Sequence, residues 1–210
     1  MRYPLCLLGL LLSVGAIADP VKVACVGDSI TFGAGVTNRE KEAYPAVLGE
    51  LLGANYAVWN FGVSGATLLK KGNKPYWLEA AYAKAKGLNP DIVVIMLGTN
   101  DSKPVNWQYS SAFPSDLTAL VDSFQALPSH PKVWLCQPTP STKNKYRISE
   151  GNEQQVRRII AQVAATKKLG VIDIDHAFDG HADLFLDGVH PNNAGAKLMA
   201  QTVAAALVGK

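Results

Sequence analysis

Five short apolar runs alternate along this chain with stretches of helical periodicity, and this alternation restricts the possible folds more than any other feature. The apolar runs are continuous, which indicates strands buried on both faces of a sheet. We expect these strands at Val21–Val26, Tyr56–Phe61, Ile92–Leu97, Val133–Cys136 and Val171–Ile174. The stretches between them predict helices at Ala43–Leu52, Trp77–Gly87, Pro114–Leu127, Asn152–Lys168 and Asn193–Leu207.

Buried strands separated by helices form parallel sheets with helices on both sides. The sequence therefore predicts an α/β protein, a three-layer α/β/α sandwich. Its sheet should have five parallel strands in the flavodoxin-like order 2-1-3-4-5. Residues 19–210 contain no repeat, low-complexity tract or linker, so we expect them to form one domain.

The first 18 residues have the arrangement of a secretory signal peptide. Arg2 is followed by the apolar run Leu5–Leu12 and then by small residues up to Ala18. That run is shorter than the roughly 18 to 20 apolar residues that a membrane-spanning helix needs. We expect cleavage after Ala18 and a secreted or periplasmic protein without stable membrane insertion. An uncleaved anchor is the alternative.

The charge distribution argues against nucleic acid as a partner. The formal net charge is +3, and the Lys and Arg residues are scattered along the chain. The sequence gives no indication of an oligomeric state. His176 and His181 lie among several aspartates, but no recurrent metal-ligand spacing appears there, so we expect neither a metal nor a cofactor.

Two cysteines, Cys25 and Cys136, lie in the first and fourth apolar runs. The predicted strand order places the third strand between them, which separates them by two spacings of about 4.8 Å. A disulfide requires Cα atoms within about 7 Å. We therefore expect two free, buried thiols.

Four polar segments that contain glycine are expected to meet at one edge of the sheet. Three follow predicted strands and one precedes the last helix; they are Gly27–Thr31, Gly62–Gly65, Gly98–Asp101 and Asp187–Pro191. The carboxyl ends of parallel strands share one edge, where ligands bind in open α/β sheets. This edge is therefore the candidate site.

The residues of these segments can perform nucleophilic catalysis. A serine hydroxyl such as that of Ser29 needs a base to take its proton, and His190 can be that base. Asp187 can fold back across one glycine to hold a ring nitrogen of His190. The backbone N–H groups of Ser29 and Gly65 and the side-chain amide of Asn100 are candidate donors to a developing oxyanion.

These segments resemble the conserved blocks of the SGNH hydrolase superfamily, also called the GDSL esterase/lipase family. The similar segments, in the family's order, are Gly27–Ile30, Asn60–Gly65, Gly98–Asp101 and Asp187–Pro191. The resemblance implies Ser29 as nucleophile, His190 as base and Asp187 as the acid of the triad. It also implies Gly65 and Asn100 as oxyanion donors beside the N–H of Ser29.

The candidate substrate-binding residues are Asp28, Trp77 and Trp107. Aromatic and amide side chains follow the second and third segments, and together they suit a sugar ring with its hydroxyls. The alternative is that both tryptophans pack helix starts against the sheet. Within the superfamily the chain resembles exported carbohydrate esterases, including those that deacetylate xylan or sialic acid.

The expected function is hydrolysis of short-chain O-esters of carbohydrates, acetyl esters in the first instance, through an acyl-enzyme. The expected partner is an acetylated sugar or another small ester. A lysophospholipase or acyl-thioesterase would use the same triad with a longer acyl pocket. A carbohydrate-binding protein without turnover is the second alternative, and it would need no reactive serine.

Overall fold

A computed structural model describes residues 19–142 and 144–209, and it contains a five-stranded parallel sheet between two helical layers. The order β2-β1-β3-β4-β5 confirms the predicted sandwich and strand order. The predicted signal peptide, residues 1–18, lies outside the described residues. The strands are β1 (Val21–Gly27), β2 (Tyr56–Gly62), β3 (Ile92–Met96), β4 (Lys132–Gln137) and β5 (Gly170–Asp173).

The five longer helices lie within three residues of their predicted bounds, and the four helices of four residues each were not predicted from the sequence. They are α1 (Ser29–Phe32), α2 (Arg39–Glu42), α3 (Tyr44–Leu52), α4 (Ala80–Gly87), α5 (Pro104–Trp107), α6 (Phe113–Gln125), α7 (Glu150–Lys167), α8 (Ile174–Ala177) and α9 (Asn193–Val208). Short 3₁₀ helices lie at Tyr76–Leu78, Ser110–Ala112 and Ala182–Leu184.

Two predicted elements differ from the observed ones. The helix expected at Trp77–Gly87 is interrupted because Glu79 is extended, with φ −83° and ψ 142°, so α4 begins at Ala80. The fifth strand ends one residue early. The side chain of Asp173 accepts a hydrogen bond from the backbone N–H of His176 and thereby caps α8.

Alternate side chains of the strands enter two separate cores. Ala24 and Val26 of β1 face the cluster covered by α4, α6 and α7, whereas Val23 and Cys25 face the cluster covered by α3 and α9. All four are fully buried. A strand buried on both faces has no polar position in its centre, which explains its continuous apolar sequence.

The two described cysteines are free and buried, as the strand order leads one to expect. Cys25 lies on β1 and Cys136 on β4, with β3 between them. Burial raises the pKa of the Cys25 thiol to about 12. Within residues 19–142 and 144–209, no helix has both the length and the apolar character required to cross a membrane.

Candidate active site

Ser29 is the first residue of α1 and follows β1 almost directly. The Oδ1 atom of Asp28 accepts a hydrogen bond from the backbone N–H of Ile30 at 2.9 Å and so caps this single turn. The turn can lie directly on the end of the sheet because Gly62 of β2 has no side chain. A Cβ atom there would lie 2.1 Å from the backbone nitrogen of Phe32. This packing fixes the nucleophile candidate at the sheet edge.

Asp187 and His190 lie on a tight turn closed by a bridge between Phe185 and Pro191. The Oδ1 atom of Asp187 accepts hydrogen bonds from the backbone N–H groups of Val189 and His190, at 3.0 and 2.8 Å. Its Oδ2 atom lies 2.7 Å from Nδ1 of His190. The aspartate thus shapes the turn and contacts the histidine ring.

The hydroxyl of Ser29 continues this series of contacts. Its Oγ atom lies 2.9 Å from Nε2 of His190. Because the partner of Nδ1 is a carboxylate, the proton of the neutral ring belongs on Nδ1, and Nε2 is left to accept from Ser29. The three side chains are therefore arranged so that a proton can leave the serine as its oxygen attacks.

Tyr146 also contacts this group, although no sequence pattern marks it as a site residue. Its hydroxyl donates to Oδ2 of Asp187 at 2.9 Å, and its ring stands edge-on to that of His190 with 5.1 Å between centroids. Partial desolvation raises the pKa of Asp187, but hydrogen bonds from His190, Val189 and Tyr146 outweigh it and hold that pKa well below its ordinary value. A single tyrosine in a loop carries no spacing signal that could have identified it.

The second predicted segment presents Gly65 at the same edge. Its φ of +81° is in the left-handed region, which glycine adopts without strain. The side chain of Lys74 lies beside it and donates from Nζ to the carbonyl of Ser64 at 2.9 Å. Among the described residues, no acceptor lies within hydrogen-bond reach of the Gly65 N–H. That donor can therefore bind substrate, as can the N–H of Ser29 at the first position of α1.

Asn100 is buried at the same edge of the sheet, with 5% of the residue exposed. Its Nδ2 atom donates to the carbonyl of Ala66 at 3.1 Å and to Oδ2 of Asp28 at 3.4 Å. A substrate oxyanion would have to replace one of these acceptors, and the longer contact is the weaker one. The structure thus brings Asn100 to the predicted place, and its role as an oxyanion donor stays a prediction.

Asp28, a candidate for substrate binding from the sequence, lies buried beneath α1. Its side chain is 1% exposed, and both its oxygens face protein donors, Ile30 and Asn100. Burial raises its pKa to about 6, against the opposing effects of the Ile30 hydrogen bond and the charges of His190 and Lys103. Its hydrogen bond to the N–H of Ile30 holds the Asp28 side chain against the start of α1 and away from solvent.

Asp101 joins the second and third segments. Its two oxygens accept hydrogen bonds from the backbone N–H groups of Leu68 and Leu69, at 3.0 and 2.7 Å. Burial raises its pKa to about 7 even though both hydrogen bonds favour the charged form. The contacts fix the loop that carries Gly65 to the loop that carries Asn100.

The two tryptophans proposed for substrate binding are half-buried against the core. The indole N–H of Trp77 donates to the carbonyl of Leu68 at 2.8 Å, and Trp107 packs against Phe113 with 5.8 Å between ring centroids. These contacts match the packing alternative. Substrate binding by either ring stays a prediction.

The acidic residues around His176 and His181 form no metal site in the part of the chain that the structure describes. No group of three or more His, Cys, Asp or Glu side chains is placed to hold an ion within residues 19–142 and 144–209. The close pair in this region joins Nδ1 of His176 to Oδ2 of Asp173 at 2.7 Å, and both side chains are exposed.

Three comparisons with known proteins bear on the family and the fold of this chain. An acetylxylan esterase of Xylanibacter ruminicola is 41% identical over 208 residues, which cover 90% of this chain and 43% of that protein. This chain therefore spans less than half of the relative's length.

Solved structures of low sequence identity share the fold. A carbohydrate acetylesterase from Sinorhizobium meliloti superposes with a TM-score of 0.71 at 18% identity, over 90% of this chain and 99% of that one. The inhibitor-bound aryl esterase of M. smegmatis also gives 0.71, at 22% identity over 90% and 99% of the two chains.

The family comparison covers the site and most of the sheet. Residues 25–198 match the model of the GDSL-like lipase/acylhydrolase family, and this range includes Ser29, Gly65, Asn100, Asp187 and His190. With the described fold and the order of the four segments, this match shows that the chain belongs to the GDSL-like lipase/acylhydrolase family.

Proposed function

We propose that this chain is a serine esterase that hydrolyses short-chain O-esters of carbohydrates, acetyl esters above all, through an acyl-enzyme. The observation that carries the proposal is the hydrogen-bonded series from Ser29 Oγ to His190 Nε2 at 2.9 Å and from His190 Nδ1 to Asp187 Oδ2 at 2.7 Å. The acetylxylan esterase that shares 41% identity supports the acyl group and the carbohydrate class.

In the first half of the reaction, Ser29 Oγ forms a bond to the ester carbonyl carbon while its proton passes to Nε2 of His190. The Asp187 carboxylate stabilises the resulting imidazolium. The carbonyl oxygen becomes an oxyanion that accepts from the backbone N–H groups of Ser29 and Gly65 and from the amide of Asn100. The imidazolium then protonates the sugar oxygen as its bond to the carbonyl carbon breaks.

The second half repeats these steps with water. Nε2 of His190 takes a proton from water, whose oxygen bonds to the carbonyl carbon of acetyl-Ser29. The same donors bind the second oxyanion. The imidazolium returns its proton to Ser29 Oγ as the acyl–oxygen bond breaks, and acetic acid leaves, which then ionises to acetate in solution. The residues are then in their starting state.

The surface beside the triad suits a sugar as the leaving group. A shallow cavity of about 730 Å³ adjoins Asp187 and is lined in part by Thr142, Asn144 and Lys145. Leu186 also lines it, with 78% of its surface exposed. Hydroxyl, amide and ammonium groups next to one apolar side chain can bind a sugar ring and its hydroxyls.

The test compares Ser29→Ala with Ser64→Ala, a matched control in the neighbouring loop whose exposed side chain has no described hydrogen bond. We expect acetate release from acetylated xylan, and faster turnover of p-nitrophenyl acetate than of p-nitrophenyl octanoate. Ser29→Ala should abolish both activities and labelling by a fluorophosphonate, and Ser64→Ala should retain them.

The alternatives give different results in the same assays. Faster turnover of octanoyl than of acetyl esters would favour a lysophospholipase or thioesterase. Binding of xylan without fluorophosphonate labelling at Ser29 would favour a carbohydrate-binding protein. Full activity of Ser29→Ala would overturn the proposed nucleophile.

We also propose that residues 1–18 direct export and are removed. The order of Arg2, the apolar run Leu5–Leu12 and the small residues before Asp19 supports this. Sequencing of the mature N-terminus should begin at Asp19, and recovery of the intact chain in the membrane fraction would argue for the uncleaved anchor.

A further inference from the structure

One oxygen of Asp187 receives hydrogen bonds from two separate parts of the chain. Oδ2 accepts from Nδ1 of His190 at 2.7 Å and from the hydroxyl of Tyr146 at 2.9 Å. The other oxygen accepts from the backbone of its own turn. The carboxylate has little rotational freedom, and its position relative to His190 depends on Tyr146.

The loop between β4 and α7 is built to bring Tyr146 to this point. Oδ1 of Asn144 accepts from the backbone N–H groups of Tyr146 and Ile148, at 3.0 and 3.2 Å. The backbone N–H of Thr142 donates to the carbonyl of Gly188 at 2.8 Å, which joins this loop to the turn that carries the triad. The contact with Asn144 thus fixes the backbone of Tyr146, and the contact with Gly188 fixes the loop against the turn that carries Asp187.

We propose that Tyr146 is a positioning residue of the active site: its hydroxyl fixes the Asp187 carboxylate against His190, and its ring fixes the plane of the imidazole. The two rings are in edge-on contact, with 5.1 Å between their centroids. This contact restricts rotation of the His190 imidazole about its Cβ–Cγ bond. The proposal rests on the proposed function, because it requires His190 to act as a base.

The hydroxyl also affects the charge that the carboxylate presents to His190. Donation from Tyr146 disperses part of the negative charge on Oδ2 of Asp187, and the same contact raises the pKa of Tyr146. Removal of the hydroxyl would leave this charge facing His190 alone and would change the strength of the hydrogen bond between Asp187 and His190.

Other polar and charged groups lie around this site. The charge of His190 lowers the pKa of Asp28, which lies beneath α1, although burial raises it more. Ser29 contacts Nε2 from α1 itself. On the loop side, the Nζ atom of Lys145 lies 5.5 Å from the centroid of the Tyr146 ring.

The experiment uses Tyr146→Phe, which removes the hydroxyl and keeps the ring. Tyr109→Phe is the matched control, since Tyr109 is 36% exposed and the tyrosine hydroxyls that form hydrogen bonds within the described residues are those of Tyr76 and Tyr146. For Tyr146→Phe we expect kcat on p-nitrophenyl acetate to fall about tenfold, the effect of one lost hydrogen bond to a charged group, with little change in KM.

A purely structural role would lower thermal stability and leave kcat on p-nitrophenyl acetate unchanged, and that result would overturn the proposal. A second measurement does not depend on turnover. The low-field NMR signal of the proton between His190 and Asp187 should shift in Tyr146→Phe and stay unchanged in Tyr109→Phe. An unchanged signal in Tyr146→Phe would also overturn the proposal, whereas a shifted signal in a protein without esterase activity would support Tyr146 and reject the proposed function.

Discussion

The side-chain amide of Asn100 donates to the carboxylate of Asp28, with 3.4 Å between Nδ2 and Oδ2. The same carboxylate caps α1 through the N–H of Ile30. One buried aspartate therefore contacts the helix that carries the nucleophile and the side chain proposed to bind the oxyanion. The relative position of Ser29 and Asn100 therefore depends on both oxygens of Asp28 acting as hydrogen-bond acceptors.

Asp28→Asn should lower kcat by about tenfold with little change in KM, because an amide in place of the carboxylate would turn the Asn100 side chain away from the oxyanion and weaken one hydrogen bond to a charged group. An asparagine can still accept from Ile30 through Oδ1, but its Nδ2 would then face Nδ2 of Asn100, and two donors cannot bond. Asp116→Asn is the control, since this carboxylate is 8% exposed and accepts from the backbone N–H of Lys70. Steady-state kinetics on p-nitrophenyl acetate measure the effect, and an unchanged kcat would argue against positioning of Asn100 by Asp28.

Gly65→Ala should lower kcat by about 10²- to 10³-fold, the effect typical of one lost oxyanion donor. The added Cβ has space, since its nearest neighbour is Cδ of Lys74 at 3.7 Å, but a φ of +81° strains any L-residue and should turn the N–H away.

Gly180→Ala is the matched control for this strain. Gly180 has a φ of +79°, and no described atom lies within 4 Å of its added Cβ. Both variants should lose about 1 to 2 kcal/mol in free energy of unfolding. Equal catalytic loss in both would show that general destabilisation, and not the N–H of Gly65, accounts for the effect.

Glu153→Gln tests the buried carboxyl that holds the start of the β4–α7 loop. Glu153 is fully buried, accepts from the hydroxyl of Ser141 and lies 3.9 Å from Arg157. Burial raises its pKa from 4.5 to about 7, although Ser141 and Arg157 act in the opposite direction.

Because the folded state binds this proton more tightly, the contribution of Glu153 to stability is present below pH 4.5 and is lost as the pH rises to about 7. Relative to Glu153→Gln, the wild type should therefore lose up to about 3 kcal/mol in free energy of unfolding over this range. Urea unfolding at several pH values measures the difference. Glu150→Gln, on an exposed position of the same helix, should show no such trend, and a pH-independent difference for Glu153→Gln would contradict the prediction.

The two described thiols should resist modification in the folded protein. Cys25 and Cys136 are 0% and 1% exposed, and burial raises the pKa of both. In protein that begins at Asp19, we expect no alkylation by iodoacetamide under native conditions and two alkylated cysteines after unfolding without reductant. A mass shift corresponding to a Cys25–Cys136 disulfide would contradict the strand order.

Sequence by itself determined the layers, the strand order and the positions of the main site residues. Continuous apolar runs mark strands buried on both faces, and the parallel sheet that they imply brings the segments of Ser29, Gly65 and Asn100 to one edge. The Asp187–His190 turn is local, with its partners three residues apart, so its geometry follows from the segment itself.

Tertiary structure alone decided the contacts between distant segments. Tyr146 reaches Asp187 across 41 residues of sequence, and Asn100 reaches Asp28 across 72. It also placed Asp28 under α1 and Trp77 against the core, two residues that the sequence offered as candidates for a substrate contact. Periodicity and motif spacing describe neighbours along one element, whereas these contacts depend on how separate loops pack over the sheet edge, and no local pattern records that packing.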